Sequence, residues 1–130
     1  RPKILGVTVL TSMSDKVLHK ELGVTRNLEE QVVYQAQLAQ KAGLDGVVAS
    51  PREIKQIREK CGDDFLIVTP GIRPRDSSLD DQERVMTPNK AAILGADYIV
   101  VGRPIRNAKN PYNSAESILR EFQEGLKNHG

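Results

Sequence analysis

Phe65-Leu66-Ile67-Val68-Thr69-Pro70-Gly71-Ile72-Arg73-Pro74 is an apolar run that stops in a turn and a cation, and the polar loop it opens reaches Gln82. Continuous rather than alternating apolarity suits a strand buried on both faces of a parallel sheet. Thr69-Pro70-Gly71 ends that strand, and Gly71 allows the backbone to turn tightly or to approach a ligand closely. Arg73 adds a planar fork of donors that can hold a phosphate or a carboxylate in two hydrogen bonds. On these ten residues alone an active-site rim and a plain strand-to-helix turn with a solvated arginine fit equally well.

Three further Val- and Ile-rich runs flank this one: Ile4 to Leu10, Gly46 to Ala49, and Tyr98 to Val101, with the central strand itself read as Phe65 to Thr69. Helical segments with start and stop signals separate them. Asn27 or Thr25 caps a helix with Leu28, Val32, Ala36 and Ala39 on one face, ending at Gly43. Ser50-Pro51-Arg52-Glu53 reads as a capping box with Pro at the first helical position, leading into Ile54, Ile57 and Cys61. Thr87-Pro88 opens a third helix that Gly95 stops. Asn110-Pro111 or Ser114 opens the last, with Ala115, Ile118, Leu119, Phe122 and Leu126 at helical spacing. The order βαβαβαβα implies parallel strands with right-handed crossovers. A faint repeat supports this: Ala42-Gly43-Leu44-Asp45-Gly46-Val47-Val48-Ala49-Ser50 parallels Leu94-Gly95-Ala96-Asp97-Tyr98-Ile99-Val100-Val101-Gly102, two βα units apart. Four βα units make half of a (β/α)8 TIM barrel, since a closed barrel takes about 200–250 residues. An open four-stranded doubly wound sheet is the alternative.

The 130 residues carry 19 Lys plus Arg against 17 Asp plus Glu, scattered without a basic stripe, which argues against nucleic acid or an anionic membrane surface as partner. The longest apolar runs are strand-length, too short for a membrane span. One cysteine, Cys61, sits in a helical pattern as a packing residue, so no disulfide framework is expected and the compartment reads as reducing. His19 and His129 lie far apart with no ligand spacing, and no metal site is expected. The opening Arg1-Pro2-Lys3 without Met suggests a piece of something longer.

Every candidate functional group follows a strand: Thr11 and Ser12 the first, Ser50 the second, Pro70 to Gln82 the third, and Gly102-Arg103-Pro104 the fourth. In a barrel these are the βα loops of the carboxyl face, where active sites are built. Gly102-Arg103 combines close backbone approach with charge-assisted donors, the chemistry of a phosphate seat, although a tight exit turn is an equal reading. Hydroxyls such as those of Thr11 and Ser12 commonly cap local backbone instead. Gln82 can bond a phosphate oxygen or a base edge, but taken alone a surface glutamine is the favoured reading.

Val7 to Met13, Gly43 to Ser50, Val68 to Pro74, Asp81 to Pro88 and Gly95 to Ile105, in that order and at compatible spacings, closely resemble the orotidine 5′-phosphate decarboxylase family of the bacterial type. The resemblance implies a homodimeric, cytoplasmic (β/α)8 barrel that removes CO2 from orotidine 5′-monophosphate (OMP) to give UMP in de novo pyrimidine biosynthesis, with no metal or organic cofactor. It implies substrate contacts from Thr11, with Ser12 its nearest competitor at the pyrimidine end, and from Arg73, Gln82, Gly102 and Arg103. Of these, Gly102 and Arg103 would grip the phosphate, Gln82 would anchor a closing loop, and Pro70 would line the pocket near the base. The family's reactive Asp-x-Lys-x-x-Asp motif is absent: no Asp-x-Lys occurs in the sequence. Residues 1–130 are therefore expected to be the carboxyl-terminal half of a single barrel domain, with no catalytic residue of their own and the missing amino-terminal half as partner in the same assembly. Rival readings are another phosphate-binding barrel, such as a sugar-phosphate epimerase or decarboxylase, and a non-catalytic nucleotide-binding half-barrel.

Overall fold

The structure is a computed structural model that describes residues 1–8, 27–74 and 86–129. In chain order these form β1 (Leu5–Val7), α1 (Leu28–Lys41), β2 (Gly46–Val48), a 3-10 turn (Pro51–Glu53) running into α2 (Ile54–Cys61), β3 (Leu66–Thr69), α3 (Pro88–Leu94), β4 (Tyr98–Ile99), α4 (Arg103–Arg106) and α5 (Pro111–Lys127). The four helices expected from sequence are present. Asn27, rather than Thr25, caps α1 by accepting from the Glu30 N–H at 2.8 Å. Thr87 caps α3 by accepting from Lys90 at 3.2 Å, and Asn110, rather than Ser114, caps α5 by accepting from Asn113 at 3.1 Å. Ser114 instead donates its hydroxyl to the Pro104 carbonyl at 3.1 Å, tying α5 to α4, a contact that local sequence does not announce.

The strands pair in the order β1-β2-β3-β4, each parallel to the next. An open doubly wound sheet reverses its strand order at a switch point. Among the described residues the order never reverses, and α1 packs on α2, α2 on α3 and α3 on α5, as in one arc of a barrel's helical ring. β2, β3 and β4 are shorter than the apolar runs that contain them, although the Ala49 N–H still donates to the Val68 carbonyl at 3.0 Å.

Alternation along the strands separates two faces. Val47 and Ile67 point at the helices and are almost wholly buried with Val32, Ile54, Ile57, Ala91 and Phe122. Each such aliphatic side chain removed from water contributes about 1.5–3 kcal/mol. The other face differs from the two-sided burial expected: Val7, Tyr98 and Val100 are 65%, 59% and 53% exposed, so that face of the sheet lies open. Beside β4 the opening continues as a groove of about 510 Å3 between the strand and α5, lined by Tyr98, Ile99, Val101, Ile105, Leu119 and Leu126. Leu119 and Leu126, which share the helical spacing of Ile118 and Phe122, are half exposed along this groove.

The internal repeat has a structural counterpart. Asp45 donates its N–H to the Ile4 carbonyl and accepts the Ile4 N–H on its carboxylate at 2.7 Å. Asp97 does the same to Ile67, donating to its carbonyl and accepting its N–H at 2.9 Å. Each aspartate thus grips the backbone of the preceding strand region at the amino end of the sheet, and each carries an arginine, Arg1 on Asp45 and Arg58 on Asp97. The Ile4 N–H, and beyond it the Arg1 charge, hold the Asp45 carboxyl below the usual range against the opposing effect of burial. Arg58 does more: it also donates to the carbonyls of Gly62, Phe65 and Gly95, tying together the ends of α2 and α3 and the start of β3.

Gly125 is where α5 crosses α3, since a Cβ there would lie 2.4 Å from the Asn89 carbonyl oxygen.

Asp97→Ala is expected to lower unfolding stability by about 2–4 kcal/mol, because it takes the carboxylate from a buried Arg58 guanidinium that keeps only its carbonyl partners and leaves the Ile67 N–H without its acceptor. Asp45→Ala should cost less, since Arg1 is exposed. Denaturant titration of both variants checks this, and an equal or larger loss at Asp45 would refute the ranking.

Candidate functional site

The Val100 N–H donates to the Thr69 carbonyl at 2.9 Å, which brings the carboxyl ends of β3 and β4 together and sets the two following loops side by side. Between them is a cleft of about 350 Å3 lined by Pro70, Gly71, Ile72 and Arg73 from one loop and by Val100, Gly102, Arg103, Pro104 and Arg106 from the other. Of the residues singled out from sequence, Arg73, Gly102, Arg103 and Pro70 therefore meet in one place. Thr11, Ser12 and Gln82 lie outside the described residues.

Each loop is shaped by its sequence. Gly71 adopts φ +76°, the left-handed region that L side chains rarely enter, and the turn it makes carries Ile72 into the core while Arg73 remains half-buried at the cleft. Ile72 forms a parallel bridge to Met86, and the Arg73 N–H donates to the Met86 carbonyl at 3.1 Å. The two ends of the segment that contains Gln82 are thus pinned beside the cleft. Across from them, the Gly102 carbonyl accepts from Ile105 and Arg106 at 3.1 and 3.0 Å, so the chain coils at once into α4. A Cβ at Gly102 would meet nothing within 4 Å, so packing within this chain does not itself demand glycine there.

Three guanidinium groups line the cleft, and among the described residues none has a carboxylate within 4.0 Å, whereas Arg1, Arg58 and Arg120 are paired. An open cleft with unmatched cations suits an anionic group with several acceptor oxygens. Sequence reading stopped at Gly102-Arg103 and missed Arg106; its spacing of three residues from Arg103 was a visible signal, but the four-residue α4 was not foreseen. Among the described residues no group of His, Cys, Asp and Glu is arranged to hold a metal ion.

A family model described as orotidine 5′-phosphate decarboxylase / HUMPS matches residues 1–118. The chain belongs to that family. Among curated relatives of this decarboxylase family, the orotidine 5′-phosphate decarboxylase of Geobacter sulfurreducens is 56% identical over 125 residues, covering 96% of this chain and 52% of its own length. That of Heliobacterium modesticaldum is likewise 56% identical over 125 residues, with 96% and 51% covered. The crystal structure of orotidine 5′-phosphate decarboxylase from Lactobacillus acidophilus superposes with a TM-score of 0.81 at 46% identity, over 93% of this chain and 49% of that one. The chain spans about half the length of the relatives it matches, and its βα units form part of a (β/α)8 barrel.

The loop after β2 has a different role. Ser50 caps the Pro51–Glu53 turn by accepting from the Arg52 N–H at 3.4 Å, and Glu53 turns inward, 2% exposed, with Oε2 unpartnered among the described residues. The expected capping box is therefore a 3-10 turn whose glutamate is buried beside the helices. Burial pushes the Glu53 carboxyl above its usual range, with Ser50 opposing and Glu29 adding to the rise. Cys61 is buried as expected, and burial likewise raises its thiol, with Arg58 opposing.

A raised folded-state value means that stability present below the unfolded carboxyl pKa, about 4.3, is lost as pH rises through the folded one. Glu53→Gln should therefore shift the melting midpoint more favourably at pH 7 than at pH 4; the same shift at both would remove Glu53 as a source of pH dependence. Gly71→Ala, which forces a side chain into the left-handed region, is expected to cost about 1–2 kcal/mol in thermal or denaturant unfolding. No loss would mean that the turn relaxes freely.

Proposed function

We propose that this chain is the nucleotide-gripping half of an orotidine 5′-phosphate decarboxylase, and that the complete enzyme converts OMP to UMP and CO2. The observation that carries the reading is the cationic cleft after β3 and β4, in a chain 56% identical to decarboxylases of that name. Arg103 and Gly102 seat the 5′-phosphate, Arg73 and Pro70 lie toward the rest of the nucleotide, and Thr11 and Gln82 complete the contacts to the pyrimidine and to the phosphate.

Loss of CO2 leaves a carbanion on a ring carbon, which a fixed cation and a dry site must stabilise. This chain contributes by gripping the nucleotide rather than by protonating that carbon. Binding energy from the phosphate holds the base in place and drives closure, so that it appears as rate rather than only as affinity. The lysine that protonates the carbanion comes from the amino-terminal half of the barrel, seated against the open face of Val7, Tyr98 and Val100 and the groove beside α5. The apolar exposure of that face and the doubled length of the relatives support this partner. Two such barrels pair as a homodimer in a reducing, cytoplasmic compartment. Sugar-phosphate chemistry on the same barrel is the weaker reading, because the curated relatives named above are decarboxylases of OMP by name.

Release of CO2 from OMP by the complete enzyme tests the activity directly, and turnover of a plain pentose phosphate instead would replace the reading. Arg103→Ala in that enzyme is expected to weaken UMP binding by about 2–5 kcal/mol if the guanidinium pairs a desolvated phosphate. Unchanged UMP affinity in a calorimetric titration would take Arg103 out of the site.

A further inference from the structure

Arg106 holds none of the roles assigned to the other cleft residues, yet it lines the same cleft as Arg73 and Arg103. Its backbone is fixed there: the Arg106 N–H donates to the carbonyl of Gly102, which also lines the cleft, and the next residue, Asn107, donates to the Arg103 carbonyl at 2.8 Å. Arg106 is exposed and, among the described residues, has no carboxylate partner. The chain is otherwise nearly neutral, at +2 overall, so three such guanidinium groups around about 350 Å3 are a local excess of charge. Such a cluster repels itself when empty, and a singly charged ligand leaves most of that repulsion in place. A phosphomonoester near neutral pH carries about −1.5 to −2 charges and three acceptor oxygens, which suits three forked donors.

We propose that Arg106 is a third anion-binding residue of this cleft, one that fits it to a dianionic phosphomonoester. The proposal rests on the reading of the cleft as the phosphate seat. Arg103 follows Gly102 as the first residue of α4, and Arg106 is the last, one turn along. Arg103 then acts as the anchor, and Arg106 as a rim charge that draws the dianion in and adds to its retention.

The test compares Arg106→Gln, Arg106→Lys and Arg103→Gln in the complete enzyme, titrated with UMP and with uridine at low and high salt. Arg106→Gln is expected to weaken UMP about three- to tenfold, the range of an exposed charge-assisted contact, and to flatten the salt dependence. Uridine, which lacks the phosphate, should bind the variant as it binds wild type, and Arg106→Lys should recover most of the loss. If Arg106→Gln leaves UMP affinity and its salt dependence unchanged while Arg103→Gln weakens UMP, the role of Arg106 is overturned and the phosphate seat stands. If UMP and uridine weaken equally in Arg106→Gln, the residue is structural and the proposal fails. If neither glutamine variant affects UMP, the phosphate seat itself is wrong and Arg106 falls with it.

Discussion

The carboxylate of Asp97 accepts the Ile67 N–H and the Arg58 guanidinium, and the register of the sheet's last strand follows from it. Because Asp97 holds Ile67 at the amino end, Tyr98 pairs with Val68 and Ile99 with Thr69. The two strands then finish level, and Pro70 to Arg73 face Gly102 to Arg106 across a gap that an anion can fill. A slip of one residue would exchange the two faces of β4, turning Ile99 away from the helices and Tyr98 toward them. Asp45 performs the same service for the first two strands, so the repeat in the sequence is a repeat of register-setting devices.

Much of this was legible beforehand because it is local. Caps, glycine stops and apolar runs depend on residues a few positions apart, and Asn27, Thr87 and Gly95 behave as their types require. Three things were not legible. The ends of β2 and β4 were not, because their apolar runs outlast the regular pairing, which single bonds from the Ala49 and Val100 N–H groups to Val68 and Thr69 extend. Nor was the exposure of Tyr98, Leu119 and Leu126, because helical or strand spacing says which face a residue shares, not whether anything covers that face. The third was the Ile72–Met86 bridge, a contact between residues separated by a polar loop that no propensity encodes.

For the site, the strand-end rule was enough to gather Pro70, Arg73, Gly102 and Arg103, since parallel strands deliver all their carboxyl ends to one side. What the rule lacks is a reason to stop at Arg103. The chain coils immediately after Gly102, and a coil returns every third or fourth residue to the same side. The division of labour is clear from the same geometry: aspartates and their arginines secure the amino end of the sheet, while arginines without carboxylate partners among the described residues gather at the other.

The bridge between Ile72 and Met86 also separates two kinds of sequence change. It joins the chain on either side of residues 75–85, so the two ends of that interval are held at a fixed neck. Closing a longer loop costs only about 0.6 kcal/mol for each doubling of its length. Insertions and deletions in that interval can therefore accumulate during divergence while Arg73 keeps its place, whereas a single polar substitution at Ile72, which is 2% exposed, acts on the neck itself.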